Sequence, residues 1–253
     1  MIFWLIVLVL SSSTLFCVYK LVYIIRSYQE TSFANSKIRT IAVSENHSTS
    51  EPQEEDAEDA KSEVPIIIDW DKLKNINSDI IAWLYCEGTS VNYPVVQAKD
   101  NEYYLSRQFD KTKSSAGSLF LDCRNNILSR DENLIIYGHR MKDDSMFGII
   151  PMYADEDYYL DHPIMYLLTP EQNYVVKIFA CRTVNGDMNH LRTFFEDRDA
   201  FNTYINSAVK QSYWMPDIDL ATEESILTLV TCSSYKHASK PRILVHGILE
   251  PIA

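Results

Sequence analysis

Between residues 91 and 249 the chain runs repeatedly through six to eleven mostly apolar and β-branched residues, then halts at turn-forming ones. The runs are VNYPVV (91–96), GSLFLD (117–122), NLIIYGH (133–139), IMYLLT (164–169), YVVKIFACRTV (174–184), SILTLVTC (225–232) and RILVHGIL (242–249). Short strands in such number, held in one domain, predict a mainly β sandwich or barrel. Two stretches read differently. WDKLKNINSDIIAWLYC, from Trp70, spaces Leu73, Ile76, Ile80, Ile81 and Leu84 as one or two short helices broken near Asn77 and Ser78. In residues 196–213, Phe201, Tyr204, Ile205, Ala208 and Val209 form the stripe of a longer helix that packs on the domain.

Residues 1–19 carry no side-chain charge, and after Lys20 the apolar run resumes as LVYII up to Arg26. About 20 such residues cross a bilayer as a helix. A cleaved signal peptide needs a positive start and a small-residue cleavage site, and neither is convincing here. Phe16 is bulky where a lipoprotein signal ending at Cys17 wants a small residue. Residues 1–26 therefore read as an uncleaved transmembrane anchor. Lys20, Arg26, Lys37 and Arg39 lie in or after it, and a simple charge count would hold the rest of the chain in the cytoplasm.

Residues 51–63, EPQEEDAEDAKSE, hold seven acids and one lysine, so −6 of the net charge of −12 sits in one run. Such a stretch cannot bury a core. Residues 27–63 read as a polar, acidic tether and 64–253 as the folded domain. The acidic balance argues against nucleic-acid binding, which needs a basic footprint. No cofactor is implied. The five cysteines, Cys17, Cys86, Cys123, Cys181 and Cys232, are odd in number and lack CxxC spacing, which disfavours a metal site or a disulfide framework. Cys86, Cys123 and Cys181 sit beside apolar residues and read as buried free thiols.

Cys232 ends the strand-like run SILTLVTC, at its junction with the polar loop SSYKHASK. Taken alone, a buried thiol outweighs a nucleophile. Arg242 follows Pro241 at the start of the next run, and a hairpin would bring it near the level of Cys232. A guanidinium there favours the thiolate and can donate to an oxyanion, although a solvated arginine is the competing reading. Acyl transfer also needs a proton carrier for the amine. His139 ends NLIIYGH, where an apolar strand meets a loop. Spacing ranks it first, with His237 and His246 as rivals.

TLVTC followed ten residues on by Arg242 resembles the sortase signature. NLIIYGHRMKDDSMFG, SVNYPVVQAKDNEYYL and GSLFLDCRN resemble segments of class B sortases, in the right order and over roughly residues 65–250. The resemblance implies a closed β-barrel of about eight strands, with N-terminal helices and one longer helix before the cysteine strand. It implies a membrane-anchored, single-pass cysteine transpeptidase with its domain outside the cell. In that reading Cys232 attacks the threonine carbonyl of a C-terminal sorting signal, NPQTN-like, on a secreted protein. Arg242 holds substrate and oxyanion, His139 moves the proton, and an amine of a cell-wall precursor resolves the thioacyl-enzyme. Asn101, Leu105 and Tyr137 fall where class B enzymes line the peptide groove. Val230 departs from the serine frequent two residues before the cysteine, and Ser233–Ser234 from an acidic residue; both bear on substrate preference. A pilin polymerase, a plain cysteine peptidase and a non-catalytic, membrane-tethered peptide-binding domain are the alternatives. An extracellular domain conflicts with the charge count, but long domains translocate largely regardless of nearby charge.

Overall fold

The computed structural model of the protein describes residues 2–46, 64–129, 131–186, 191–216, 218, 225–232 and 241–252, and only the backbone of Leu5, Tyr23, Ser27 and Cys232. Its elements are α1 (Ile2–Ala42), β1 (Val43–Glu45), β2 (Ile66–Ile68), α2 (Trp70–Ile76), β3 (Ile80–Tyr85), β4 (Asn92–Val96), β5 (Leu119–Leu121), β6 (Asn133–His139), α3 (Glu156–Asp161), β7 (Ile164–Leu168), β8 (Asn173–Val184), α4 (Arg198–Lys210), β9 (Ile226–Cys232) and β10 (Arg242–Pro251). Strands β3 to β10 close into one barrel in the order β10-β8-β7-β3-β4-β5-β6-β9, with β9 pairing back onto β10. The mainly β, eight-stranded barrel implied by the resemblance is therefore the fold. Pairs β4/β5 and β6/β9 are parallel, and the chain makes long crossovers to bring them together.

One hydrophobic cluster draws on all eight strands, with Ala82, Leu84, Val95, Leu119, Leu134, Leu167, Val176, Leu229 and Val245 among its members. Only the barrel interior is shared by every strand, so these positions point inward. Residues of the opposite parity are buried as well. Trp83, Val96, Phe120, Ile135, Tyr137, Val230 and Leu244 lie beneath the N-terminal elements and the 3-10 segment Tyr103–Ser106. Phe179, Ala180, Ile226 and Ile248 lie beneath Phe201, Ile205 and Ala208 of α4. Burial on both faces explains why the strands read as nearly continuous apolar runs, without clean alternation.

The same double burial corrects the reading of residues 70–86. Only α2 is helical there. Asp69 accepts from the Lys72 amide at its start, and the extended Asn77 ends it. Ile80–Tyr85 instead forms barrel strand β3 between β4 and β7. Ala82 and Leu84 face inward while Trp83 faces outward, all three with no exposed surface. A strand filled on both sides mimics helical spacing over so few residues.

The structure also differs from the expectation of a polar, acidic tether starting at residue 27. The helix α1 continues unbroken to Ala42. Its described side chains from Ile2 to Arg26 are all exposed, and by length and composition this part can cross a membrane. From Thr31 onward one face is buried, through Thr31, Asn35, Ile38 and Ala42, at the i, i+4, i+7, i+11 spacing of a docked helix. The Thr31 and Ser114 hydroxyls share a buried hydrogen bond of 2.8 Å. The Arg39 guanidinium lies 5.5 Å from the centre of the Tyr93 ring. β1 then pairs with β2. Residues 47–63, with the acidic run, lie outside the described residues.

Residues 31–45 thus belong to the folded unit. Burying an aliphatic side chain of this kind is worth about 2 kcal/mol. A fragment starting at Val64 should melt several degrees below one starting at residue 27, and Ile38→Ala in the longer fragment should cost about 3 kcal/mol. Differential scanning calorimetry of the three proteins checks this; equal melting temperatures would place α1 outside the domain.

Candidate active site at one rim of the barrel

Strands β6, β9 and β10 lie side by side. In the parallel β6/β9 ladder, His139 is the partner of Cys232. In the antiparallel β9/β10 ladder, Leu244 pairs with Val230. Two more steps in that register (244 − 2 and 230 + 2) set Arg242 level with Cys232. The histidine, cysteine and arginine positions therefore stand at one level of three adjacent strands. The rim is formed by the C-terminal ends of β6 and β9 and the start of β10. All three positions have the outward parity of Tyr137, Val230 and Leu244.

His139 is half-buried. Its Nε2 lies 2.7 Å from the Leu105 carbonyl, and because a carbonyl only accepts, Nε2 carries the proton. Its backbone carbonyl takes the Phe147 amide at 3.0 Å. The ring rests against Gly117, whose φ is +60°. A Cβ on Gly117 would stand 2.7 and 2.8 Å from the Tyr104 and Leu105 carbonyls and 3.1 Å from His139 Cδ2. Only glycine suits that conformation and that gap. The preceding residue, Gly138, faces inward, where a Cβ would come within 2.6 Å of Phe147.

Arg242 is 5% exposed. Its Nη1 donates to the Thr231 carbonyl at 3.3 Å, while its buried Nε has no partner among the described residues. No described carboxylate pairs with it. A buried guanidinium with donors to spare is suited to an oxygen that gains negative charge.

The other three sequence-selected residues divide. Leu105 reaches the site through its carbonyl, the partner of His139. Tyr137 lies two residues below His139 on the same face of β6. Its ring stacks on Phe120 at 5.2 Å and its hydroxyl donates to Asp122 at 2.8 Å. Burial opposes ionisation of Asp122, but hydrogen bonds from Arg124 and Tyr137 more than offset it and hold that carboxyl below the usual carboxylate range. Asn101 commits its Oδ1 to the Cys123 amide at 2.8 Å. Phe120, Tyr137, Val230 and Leu244 make an apolar floor across β5, β6, β9 and β10, with Leu105 and Leu191 packed on it.

Among the described residues, Cys86, Cys123, Cys181 and His246 are poorly suited to these roles. Cys86 and Cys181 are buried as expected, whereas Cys123 is exposed, in the turn after β5, and corrects the expectation of burial. Burial pushes the Cys181 thiol up to about 12 and raises Cys86, so both are protonated, poor nucleophiles at neutral pH. Desolvation first, and then Asp122, also raises Cys123. His246 has no exposed surface and is bonded to Thr228 and Arg182. His237 lies outside the described residues. Sequence reasoning missed Gly117 and the backbone carbonyl of Leu105. The glycine opening GSLFLD was the one available signal.

A family model described as the sortase domain matches residues 84–250. Sortase B of Listeria monocytogenes is 36% identical over 177 residues, which cover 70% of this chain and 72% of that protein. This chain is a class B sortase. The structure of Bacillus anthracis sortase B in complex with AAEK1 superposes with a TM-score of 0.74 at 30% identity, covering 90% of this chain and all of that one. The Staphylococcus aureus sortase B–substrate complex gives a TM-score of 0.70 at 30% identity, covering 72% of this chain and 85% of that one. As a class B sortase the protein is a cysteine transpeptidase.

Gly117→Ala should push the Leu105 carbonyl and His139 apart. A displacement near 1 Å at a reacting group costs on the order of a hundredfold. Steady-state peptide cleavage should fall by about that factor with the barrel still folded by circular dichroism; unaltered turnover would show that the His139–Leu105 contact is dispensable.

Proposed function

We propose that this class B sortase is a single-pass membrane enzyme with its barrel outside the cell. It cuts a C-terminal sorting signal, NPQTN-like, from secreted proteins and joins the remaining acyl group to an amine of a cell-wall precursor. One observation carries the proposal. His139 comes to one rim from a strand far from the hairpin that carries Cys232 and Arg242, with a donor of Arg242 left over.

The chemistry follows from those positions. The Cys232 thiol gives its proton to Nδ1 of His139, the thiolate attacks the threonine carbonyl, and Arg242 donates to the oxyanion that forms. As the C–N bond breaks, the departing amine takes a proton from His139. Because Nε2–H is held by the Leu105 carbonyl, Nδ1 is the nitrogen that gives this proton and later takes one back. In the second half the precursor amine attacks the thioester, the C–S bond breaks, His139 accepts the amine proton and the thiolate returns. The sorting signal approaches Cys232 from the β6 side, beside Leu105 and Asn101 and above the buried layer of Phe120, Tyr137 and Val230. The apolar, exposed part of α1 supports the anchor, and the docked part of the same helix holds the rim at a set distance from the bilayer.

Mass spectrometry after incubation with sorting-signal peptides should find the acyl fragment, ending in threonine, on Cys232. Cys232→Ala should form no adduct and leave secreted proteins unattached to the wall. Adduct formation on another residue, or wall attachment that persists in Cys232→Ala, would sink the proposal. Arg242→Lys should lower kcat by a hundredfold or more, since removing one oxyanion donor costs about 10²–10³ and a point charge lacks the planar fork. Near-normal kcat would remove Arg242 from that role.

A further inference from the structure

The outer face of the barrel buries a second arginine that the chemistry above leaves unused. Arg182 on β8 is 4% exposed. It pairs with Leu244, while the next outward residue of β8, Val184, pairs with Arg242. The two guanidinium-bearing positions are therefore diagonal neighbours on one face. No described carboxylate meets either, although the chain as a whole carries −12.

The partners of Arg182 are all neutral. Its Nε donates to His246 Nε2 at 3.2 Å, and its Nη1 to Gln211 Oε1 at 3.4 Å. The Thr228 hydroxyl donates to Asn133 Oδ1 at 2.8 Å and accepts at 3.0 Å from His246 Nδ1. His246 therefore carries its proton on Nδ1 and is uncharged. A buried charge is ordinarily paired, because unpaired it is costly to desolvate. Among the described residues Arg182 meets no anion, and its remaining neighbour is the Tyr204 ring, 5.8 Å from the guanidinium. It lines an open cleft with Val184, Asn185, Ser207 and Gln211.

The position of this cleft identifies its occupant. Across the sheet the order is β6, β9, β10, β8. The path assigned to the sorting signal lies on the β6 side of Cys232, and the Arg182 cleft on the β8 side, beyond Arg242. Two strand spacings across and two residues along place Arg182 about 12 Å from Cys232, the reach of three to four extended residues. We propose that the Arg182 cleft binds a carboxylate of the amine-bearing acceptor, about three residues from the attacking nitrogen. Arg182 then holds the second substrate as Arg242 holds the first. The inference rests on the transpeptidase reading and names the chemistry of its acceptor.

The test uses one sorting-signal peptide and two acceptors, triglycine as the free acid and as the carboxamide, and measures the transfer product formed with each. A charge-assisted bond to a carboxylate is worth roughly ten- to a hundredfold. The wild type should prefer the acid by about tenfold. Arg182→Gln should bring the acid/amide ratio near one, and Ser207→Glu, a surface change on α4 that places a competing carboxylate in the cleft, should do the same. Equal use of acid and amide by the wild type, or a preference that survives in both variants, would overturn the assignment. An arginine that merely clips α4 to the barrel would leave the ratio unmoved. If the wild type forms no acyl-enzyme at all, the transpeptidase reading itself fails, which is a separate outcome.

Discussion

The parallel pairing of β6 with β9 is the contact on which this molecule depends. It closes one side of the barrel, and its register makes Cys232 the partner of His139. Parallel neighbours need a crossover, and here the crossover carries α3, β7, β8 and α4 before the chain returns at Ile226. A slip of one residue would turn Leu227 and Leu229 out of the interior and the whole face of Val230 into it. Since both faces are buried, that slip is heavily penalised. Packing of the core and placement of the reactive groups are thus one constraint.

Electrostatics at the rim run against the composition. The protein is strongly acidic, and residues 51–63 alone supply half the net charge. Yet the outer face near the rim buries Arg182 and Arg242 without a described carboxylate. The buried carboxylate of that region, Asp122, is matched by Arg124 and Tyr137. Cationic donors left unmatched in low dielectric are poised for charge brought by a substrate, where their hydrogen bonds are strongest.

The helix α1 joins two environments. Up to Arg26 its surface is apolar and exposed; from Thr31 it is a piece of the domain, with Thr31 bonded to Ser114 and Ile38 in the outer core. Ser114 also accepts the Ala116 amide, one residue before the Gly117 that abuts His139. The apolar helix and the rim that holds His139 therefore meet through a few short polar contacts.

Much of this was legible in the residues themselves. Strand runs, the α4 stripe and the Cys232–Arg242 hairpin are local patterns, and the periodicity of side chains writes them directly into the chain. What failed did so for physical reasons. β3 imitated a helix because Ala82, Trp83 and Leu84 are buried on both faces. The docked face of α1 passed as tether because its first buried residues, Thr31 and Asn35, are polar, and the bond that buries Thr31 is made to the distant Ser114. The Leu105 carbonyl left no mark, since every residue has one, and nothing in the run YVVKIFACRTV shows that Arg182 would be buried. The sequence by itself determined which groups are available and which short segments form strands or helices, because those choices rest on local propensity and spacing. The tertiary structure alone decided which strand ends share a level and which charges lose their water, because register and desolvation arise only when distant segments close one barrel.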